Sequence, residues 1–190
     1  MSLQRQQTFL VRLFTEEKLR QNFLMNPEKI GQENGLEKND ILQLKEILPE
    51  QLSFFADSLF YKRVHEAEKL LPLTSKVLNV QFTKLFRGFS QTFTPKTVKI
   101  HLEDAIEFVN YLNKESLEIH WLHDLAKFEQ TQLIFNGYNK LFILQKFSFD
   151  IRQIVKEISH HQKVWQNEFQ PRKTMAIWLR FGKKNKHFII

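Results

Sequence analysis

The chain has 190 residues, a net charge of +7 at neutral pH and no cysteine, which excludes disulfides, thiolate metal sites and cysteine nucleophiles. Its hydrophobic content of 42% includes 19 Phe, so we expect a folded core. Charged residues interrupt the apolar positions near the N-terminus, and no apolar run is long enough to span a membrane. We therefore expect a cytoplasmic, soluble protein without a membrane partner.

Positive charge is concentrated at the C-terminal end. Residues 138–190 hold eleven Lys or Arg against three acids and carry +8, whereas residues 1–137 carry −1. The apolar pattern also changes near Gly137, from helical spacing to strand-like alternation. We predict an α+β, predominantly α protein with a helical bundle over 1–137. A small basic antiparallel β-sheet subdomain over 138–190 should pack on that bundle.

Apolar spacing and helix-capping residues predict the first two helices. Residues 9–24 carry apolar side chains at helical spacing, which is typical of an amphipathic helix. Asn26 can cap the next helix, and Pro27 suits its first position, where no N–H is needed. Gly35 supplies a left-handed stop, so a short second helix should cover residues 27–34.

Two further helices follow the same capping signals. Asn39 or Asp40 can cap a third helix, and Pro49 begins a fourth that Pro72 closes. The predicted inward face of the fourth helix comprises Leu52, Phe55, Leu59 and Val64.

Three more helices complete the predicted bundle. They cover residues 82–93, residues 102–112 and about 116–135, and each carries a regular apolar stripe. The residues predicted to face inward on the last helix are Trp121, Leu125 and Phe128.

The C-terminal residues predict a three-stranded sheet. Residues 140–150 are rich in aromatic and branched side chains and partly alternate with polar ones, as a half-buried strand does. Residues 174–181 and 187–190 should form an antiparallel hairpin around the polar segment 182–186. Residues 151–169 fit either a short helix or an irregular crossing loop.

The basic C-terminal segment is the best candidate for a partner-binding surface. Its basic residues interleave with the rings of Trp178 and Phe181 and should attract phosphate or carboxylate. An extended acidic peptide could also add as a strand to such a basic edge. Alternatively, the lysines only protect an exposed edge strand from unwanted pairing. The candidate partner-binding residues are Arg172, Lys173, Trp178, Arg180, Lys183, Lys184 and Lys186.

Histidines and acids on the last predicted helix invite a chemical interpretation. His120 and His123 lie three residues apart with Asp124 and Glu129 nearby, a spacing that can hold a metal. Two helical ligands without a third are weak evidence, so we expect surface or capping histidines, and carboxylates that pair with Lys or Arg on neighbouring helices. The adjacent pair His160 and His161 is weaker still, because adjacent side chains diverge.

The remaining sequence patterns also favour a non-catalytic protein. The charged cluster over residues 62–69 fits a solvated helix face with pairs three or four residues apart. No nucleophile elbow, phosphate-binding glycine loop or dinucleotide fingerprint occurs in the sequence. We therefore expect no enzyme activity, no metal and no cofactor.

Several stretches of the chain are similar to a known family. They comprise residues 13–20, 23–28, 34–36, 71–74 and 121–129, with a final strand like residues 176–180. They resemble a family of uncharacterised bacterial proteins that carries a DNA-binding-domain label. The resemblance covers most of the chain and implies a helical N-terminal part followed by a small C-terminal sheet. Relatives of that family, including the methanobactin biosynthesis partner protein, bind a multinuclear non-haem iron oxidative enzyme and help it hold a precursor peptide.

These observations predict an accessory or adaptor protein that binds a protein or peptide partner through its basic sheet. The resemblance implies that the partner is an iron-dependent oxidative enzyme or its precursor peptide. The alternative is a DNA-binding protein that uses the same basic patch without sequence specificity, because the predicted helices carry no obvious residues for reading bases.

Overall fold

The computed structural model describes residues 2–160, 169–182 and 184–190. These residues form ten helices and a three-stranded antiparallel sheet, which confirms the predicted predominantly α, α+β class. The elements are α1 (Ser2–Thr15), α2 (Glu17–Met25), α3 (Pro27–Glu33), α4 (Lys38–Lys45), α5 (Pro49–Leu70), α6 (Pro72–Leu78), α7 (Val80–Thr92), α8 (Ile100–Leu112), α9 (Leu122–Gly137), β1 (Phe142–Phe149), α10 (Ile151–His160), β2 (Pro171–Phe181) and β3 (Lys184–Ile189).

Contacts between residues divide the chain into two compact units, Met1–Arg63 and Val64–Ile190. The division falls within α5. The boundary predicted from the sequence, between residues 137 and 138, lies inside the second unit, where the sheet packs on α9.

The first unit is built around a small apolar core. The ring of Phe9 meets that of Phe23 edge-on at 5.3 Å between centroids. The predicted capping of α3 is confirmed, since the side chain of Asn26 accepts from the N–H of Lys29 and Gly35 has a φ of 76°. The buried residues of this core are Phe9, Leu13, Phe23, Leu36, Ile41, Leu44 and Leu52.

Three details of the first unit differ from the sequence-based expectation. The predicted first helix is divided at Glu16, whose extended backbone separates α1 from α2. Asp40 lies inside the first turn of α4, where its carboxylate accepts from the N–H of Glu37 at 3.3 Å, so it is not the cap. The predicted inward face of the fourth helix is wrong for Phe55 and Leu59, which are exposed.

The second unit has an aromatic core between α7 and α8. The ring of Phe108 lies 5.0 Å from those of both Phe82 and Phe86, and all three side chains are fully buried. The predicted helix from about residue 116 begins later, at Leu122. The short α6 was not predicted, because Pro72 both ends α5 and begins this new helix.

The sheet has the order β1-β2-β3, and the predicted hairpin is confirmed. Its turn contains Gly182 with a φ of 59°, and β3 begins at Lys184, three residues earlier than predicted. Of the two alternatives for residues 151–169, a helix is observed over Ile151–His160, and residues 161–168 lie outside the described residues.

Candidate functional site

One face of the sheet is closed by α9. Trp178 is 2% exposed, and its ring lies 5.5 Å from that of Phe128 on α9. Phe147 lies 6.2 Å from the same ring, and Ala176 is fully buried. Since side chains alternate along a strand, the even-numbered residues of β2 face α9 and the odd-numbered residues face away from it. We call the face turned away from α9 the outer face.

Trp178 is therefore a core residue. The expectation that its ring lies among basic side chains at the surface is wrong, because the ring is enclosed between Phe128 and His187. Phe181 is 61% exposed and does lie on the outer face.

The two arginines of the predicted surface are engaged within the fold. The guanidinium of Arg180 donates to the carbonyl oxygens of Phe135 and Lys140, at 3.1 Å each, and lies 5.1 Å from the centre of the Phe135 ring. Arg172 forms an ion pair with Asp150 at 3.2 Å, although most of its side chain is exposed. The bonds of Arg180 tie the sheet to the end of α9, so this residue serves the fold.

The remaining basic candidates are lysines. Lys173, Lys184 and Lys186 are exposed, and their strand positions place them on the outer face. Lys183 lies outside the described residues. Lys146 on β1, which the sequence did not single out, is exposed on the same face beside Met175.

Between these lysines the outer face is apolar. The strand register aligns Phe142, Leu179 and Lys186 in one row, Leu144, Ile177 and Phe188 in the next, and Lys146, Met175 and Ile190 in a third. We call Phe142, Leu144, Met175, Ile177, Leu179, Phe188 and Ile190 the apolar band. Its four side chains on the β1 and β3 sides are well exposed: Phe142 by 56%, Leu144 by 44%, Phe188 by 50% and Ile190 by 69%.

Lysines bracket this band on two sides. Lys184 and Lys186 lie on the side of the β2–β3 turn, whereas Lys146 and Lys173 lie toward the other end of the sheet. We call these four residues the flanking lysines. The three strands contain no acidic residue, so the outer face has a positive potential that no carboxylate of the sheet reduces.

Side chains occupy backbone hydrogen-bonding groups at one end of each edge strand. The carboxylate of Asp124 on α9 accepts from the backbone N–H groups of Ser148 and Phe149 at 2.6 and 2.9 Å, where β1 ends. At the end of β3, the guanidinium of Arg152 donates to the carbonyl oxygen of Ile189. These bonds shorten the stretch of either edge that an added strand could pair with.

The acids of the histidine-containing helix have structural roles. Glu129 is buried, and its carboxylate accepts from the N–H groups of Leu73 and Thr74 at 2.8 Å each, at the start of α6. Burial raises the pKa of Glu129, and these donors oppose that rise. Asp124 and Glu129 both bind backbone N–H groups, so the expectation that they pair with Lys or Arg is wrong in this respect.

The histidines do not join these acids in a metal site. His123 lies 3.3 Å from the amide oxygen of Asn113, and burial lowers its pKa, which the neighbouring Asp124 opposes. His120 is exposed. Within the described residues, no group of three or more His, Cys, Asp or Glu could hold a metal ion.

In the part of the chain that the structure describes, the charged cluster and the adjacent histidine pair noted in the sequence show no sign of a functional site. The charged cluster over residues 62–69 contains an ion pair between Lys69 and Glu66 at 2.8 Å, and Nδ1 of His65 lies 3.8 Å from the carboxylate of Glu68, as expected for a solvated helix face. His160 is exposed at the end of α10, and its neighbour His161 lies outside the described residues.

The apolar half of this surface was not predicted from the sequence. Phe142 and Leu144 occupy alternate positions of β1, and Ile143 lies between them. Apolar residues at successive positions of a strand indicate that both faces are apolar. With α9 covering one face, the other face of this strand is left exposed, which sequence alternation alone does not reveal.

Comparisons with known proteins leave the family resemblance as a prediction. No protein-family model matches the chain, and no curated protein matches it. Among the described residues, no helix is both long and apolar enough to cross a membrane.

Proposed function

We propose that this chain is a non-enzymatic accessory protein that binds a partner protein through the outer face of its C-terminal sheet. One observation carries this proposal: an exposed apolar band bracketed by four lysines in a sheet without acids. Exposed apolar patches with a polar rim are typical of protein-binding sites, because their burial supplies affinity and the rim supplies selectivity.

The charge of the surface favours an acidic partner. The flanking lysines would meet carboxylates at the rim of the interface, where complementary charge accelerates encounter and disfavours wrong partners. The family resemblance suggests an iron-dependent oxidative enzyme or its precursor peptide as the partner, and this identity stays a prediction. Both are proteins or peptides, so they fit the same surface chemistry.

A capture experiment from the native host tests the proposal. The bait is the full chain, either wild type or with both Phe142→Ser and Phe188→Ser. The matched control carries Val80→Ser and Val98→Ser, which remove exposed apolar side chains elsewhere in the second unit. We expect a specific, stoichiometric protein to be retained by the wild type and the control and lost by the sheet variant. Equal recovery by all three baits would overturn the proposal.

Nucleic acid is the second candidate, because exposed rings of Phe142 and Phe188 beside lysines can stack on bases. The aliphatic residues of the band, such as Leu144 and Ile177, favour protein instead, since phosphate and sugar do not bury them. Binding to DNA would weaken steeply with salt, with a log–log slope of about −0.9 per phosphate contacted on a duplex. A titration of labelled single-stranded and duplex DNA at two salt concentrations tests this, and no binding at low salt would remove the candidate.

A further inference from the structure

The apolar band spans all three strands. It begins with Phe142 and Leu144 on β1, continues across the middle of β2, and ends with Phe188 and Ile190 on β3. Three strands about 4.8 Å apart, with their side chains, give it a length of roughly 14 Å. An α-helix that rises 1.5 Å per residue would cover this length with about ten residues, close to three turns.

The width of the band also suits a helix. Lys186 is level with Leu179 on β2, and Lys146 is level with Met175, four residues away along the strand. Four residues of strand span roughly 14 Å. A helix with side chains is about 10–12 Å wide, so it fits between the two pairs of flanking lysines.

Backbone hydrogen bonding favours a helix over an extended segment on this face. An extended peptide laid on the apolar band would bury N–H and C=O groups without partners, whereas a helix satisfies these groups internally. Asp124 at the end of β1 and Arg152 at the end of β3 bind backbone groups of the edge strands, so less of either edge is free to pair with an added strand. A helix on the face meets neither obstacle.

A second copy of the chain is disfavoured as the occupant. Two outer faces brought together would place flanking lysines against flanking lysines, with no acid in either sheet to separate them. Like charges desolvated in this way oppose association.

We infer that the segment docked on the outer face is an acidic amphipathic helix of the partner. Its apolar stripe lies on the apolar band, and Asp or Glu residues on both sides of the stripe face the flanking lysines. This inference rests on the proposed function and specifies the conformation and charge of what is bound.

Three synthetic peptides of about fourteen residues serve as probes, and the helical ones are stapled because short isolated helices are marginal in water. The first presents a Leu stripe at helical spacing with Glu on both sides. The second has Lys in place of Glu. The third has the Glu and Leu of the first in strict alternation, which favours a strand. Fluorescence anisotropy measures their dissociation constants for the full chain at low and high salt.

Charge-reversal variants locate the contact. Lys184→Glu with Lys186→Glu should weaken binding of the first peptide about tenfold at low salt and less at high salt. The matched control reverses Lys84 and Lys114, two exposed lysines outside the sheet, and should change the affinity less than about twofold. We expect the first peptide to bind at least about tenfold more tightly than the other two.

The inference fails if the alternating peptide binds as tightly as the helical one, if reversal of the sheet lysines has no more effect than the control, or if none of the peptides binds. It also fails if sedimentation shows a dimer that Phe142→Ser and Phe188→Ser abolish, since a second copy then occupies the face. In each of the first three cases, the proposed function still holds if the capture experiment recovers a host protein with the wild type and the control but not with the sheet variant. Equal capture of that protein by all three baits would refute both the proposed function and this inference.

Discussion

The buried carboxylate of Glu129 provides the most quantitative test of the fold that carries the sheet. Its two oxygens each accept one backbone N–H at 2.8 Å, from Leu73 and Thr74, in the first turn of α6. In Glu129→Gln only one oxygen remains, and the amide NH₂ group, which cannot accept, meets the other N–H donor. The carboxyl group of the wild type keeps two acceptor oxygens whether it is protonated or ionised. A buried donor left without an acceptor costs about 1–3 kcal/mol, so we expect the free energy of unfolding to fall by that amount.

The effect of this substitution should depend on pH with a definite sign. Burial raises the pKa of Glu129 in the folded protein, so between the unfolded and folded values the native state binds a proton that the unfolded chain releases. The contribution of this group to stability is therefore fully present below the unfolded pKa and is lost as pH rises through the folded pKa. Since Gln does not titrate, the stability advantage of the wild type over Glu129→Gln should shrink as pH rises.

Urea melts from about pH 4 to about pH 8 measure both effects, because this range begins near the ordinary carboxyl pKa and extends well above it. The control is Glu118→Gln at an exposed position, for which we expect a change within about 0.5 kcal/mol. A stability difference that grows with pH, or a penalty for Glu129→Gln no larger than the control's, would refute the assigned role of Glu129.

Four further substitutions test the packing around the sheet and the first unit. Trp121→Ala should lower the free energy of unfolding by roughly 3–5 kcal/mol through the cavity it leaves, because Trp121 is buried. His123→Ala should lower it far less, because His123 is partly exposed. Urea melts in which His123→Ala is the more damaging change would contradict this. Arg180→Lys should lower the free energy of unfolding by about 1–2 kcal/mol, because a lysine does not reproduce the two-carbonyl geometry, and an unchanged melt would show that these bonds contribute little. Gly31→Ala should cost about 1–3 kcal/mol, since its new methyl would lie 2.6 Å from the side chain of Ile41, and a gain in thermal stability would contradict the close packing.

Local signals predicted much of the helical architecture. The capping of α3 depends on Asn26, Pro27 and Gly35, which lie within the helix or next to it, so the sequence contains all the information required. In contrast, the first turn of α6 is stabilised by Glu129, more than fifty residues away along the chain. No local sequence pattern indicates that contact, so Pro72 predicted the end of α5 but not the start of α6.

Only part of the candidate site could be predicted from the sequence, because the two faces of a strand can look alike in sequence. The apolar pattern predicted the strands correctly, but it does not show which face of a strand is covered when both faces carry apolar residues. Trp178 and Leu179 are adjacent apolar residues, and only the packing of α9 places Trp178 in the core. The same packing engages Arg180 and exposes Phe142, two outcomes that depend on tertiary contacts.

A partner protein that covers the outer face of the sheet would shield the side chains of that face from solvent. Hydroxyl-radical footprinting of the chain alone and in complex with a captured host protein measures this directly, because it reports the solvent exposure of individual side chains. We predict that oxidation of Phe142, Leu144 and Phe188 falls in the complex, while oxidation of the exposed Phe54 and Phe55 on α5 is unchanged. Unchanged oxidation of the three sheet residues, with protection elsewhere, would show that the partner binds another surface of the chain.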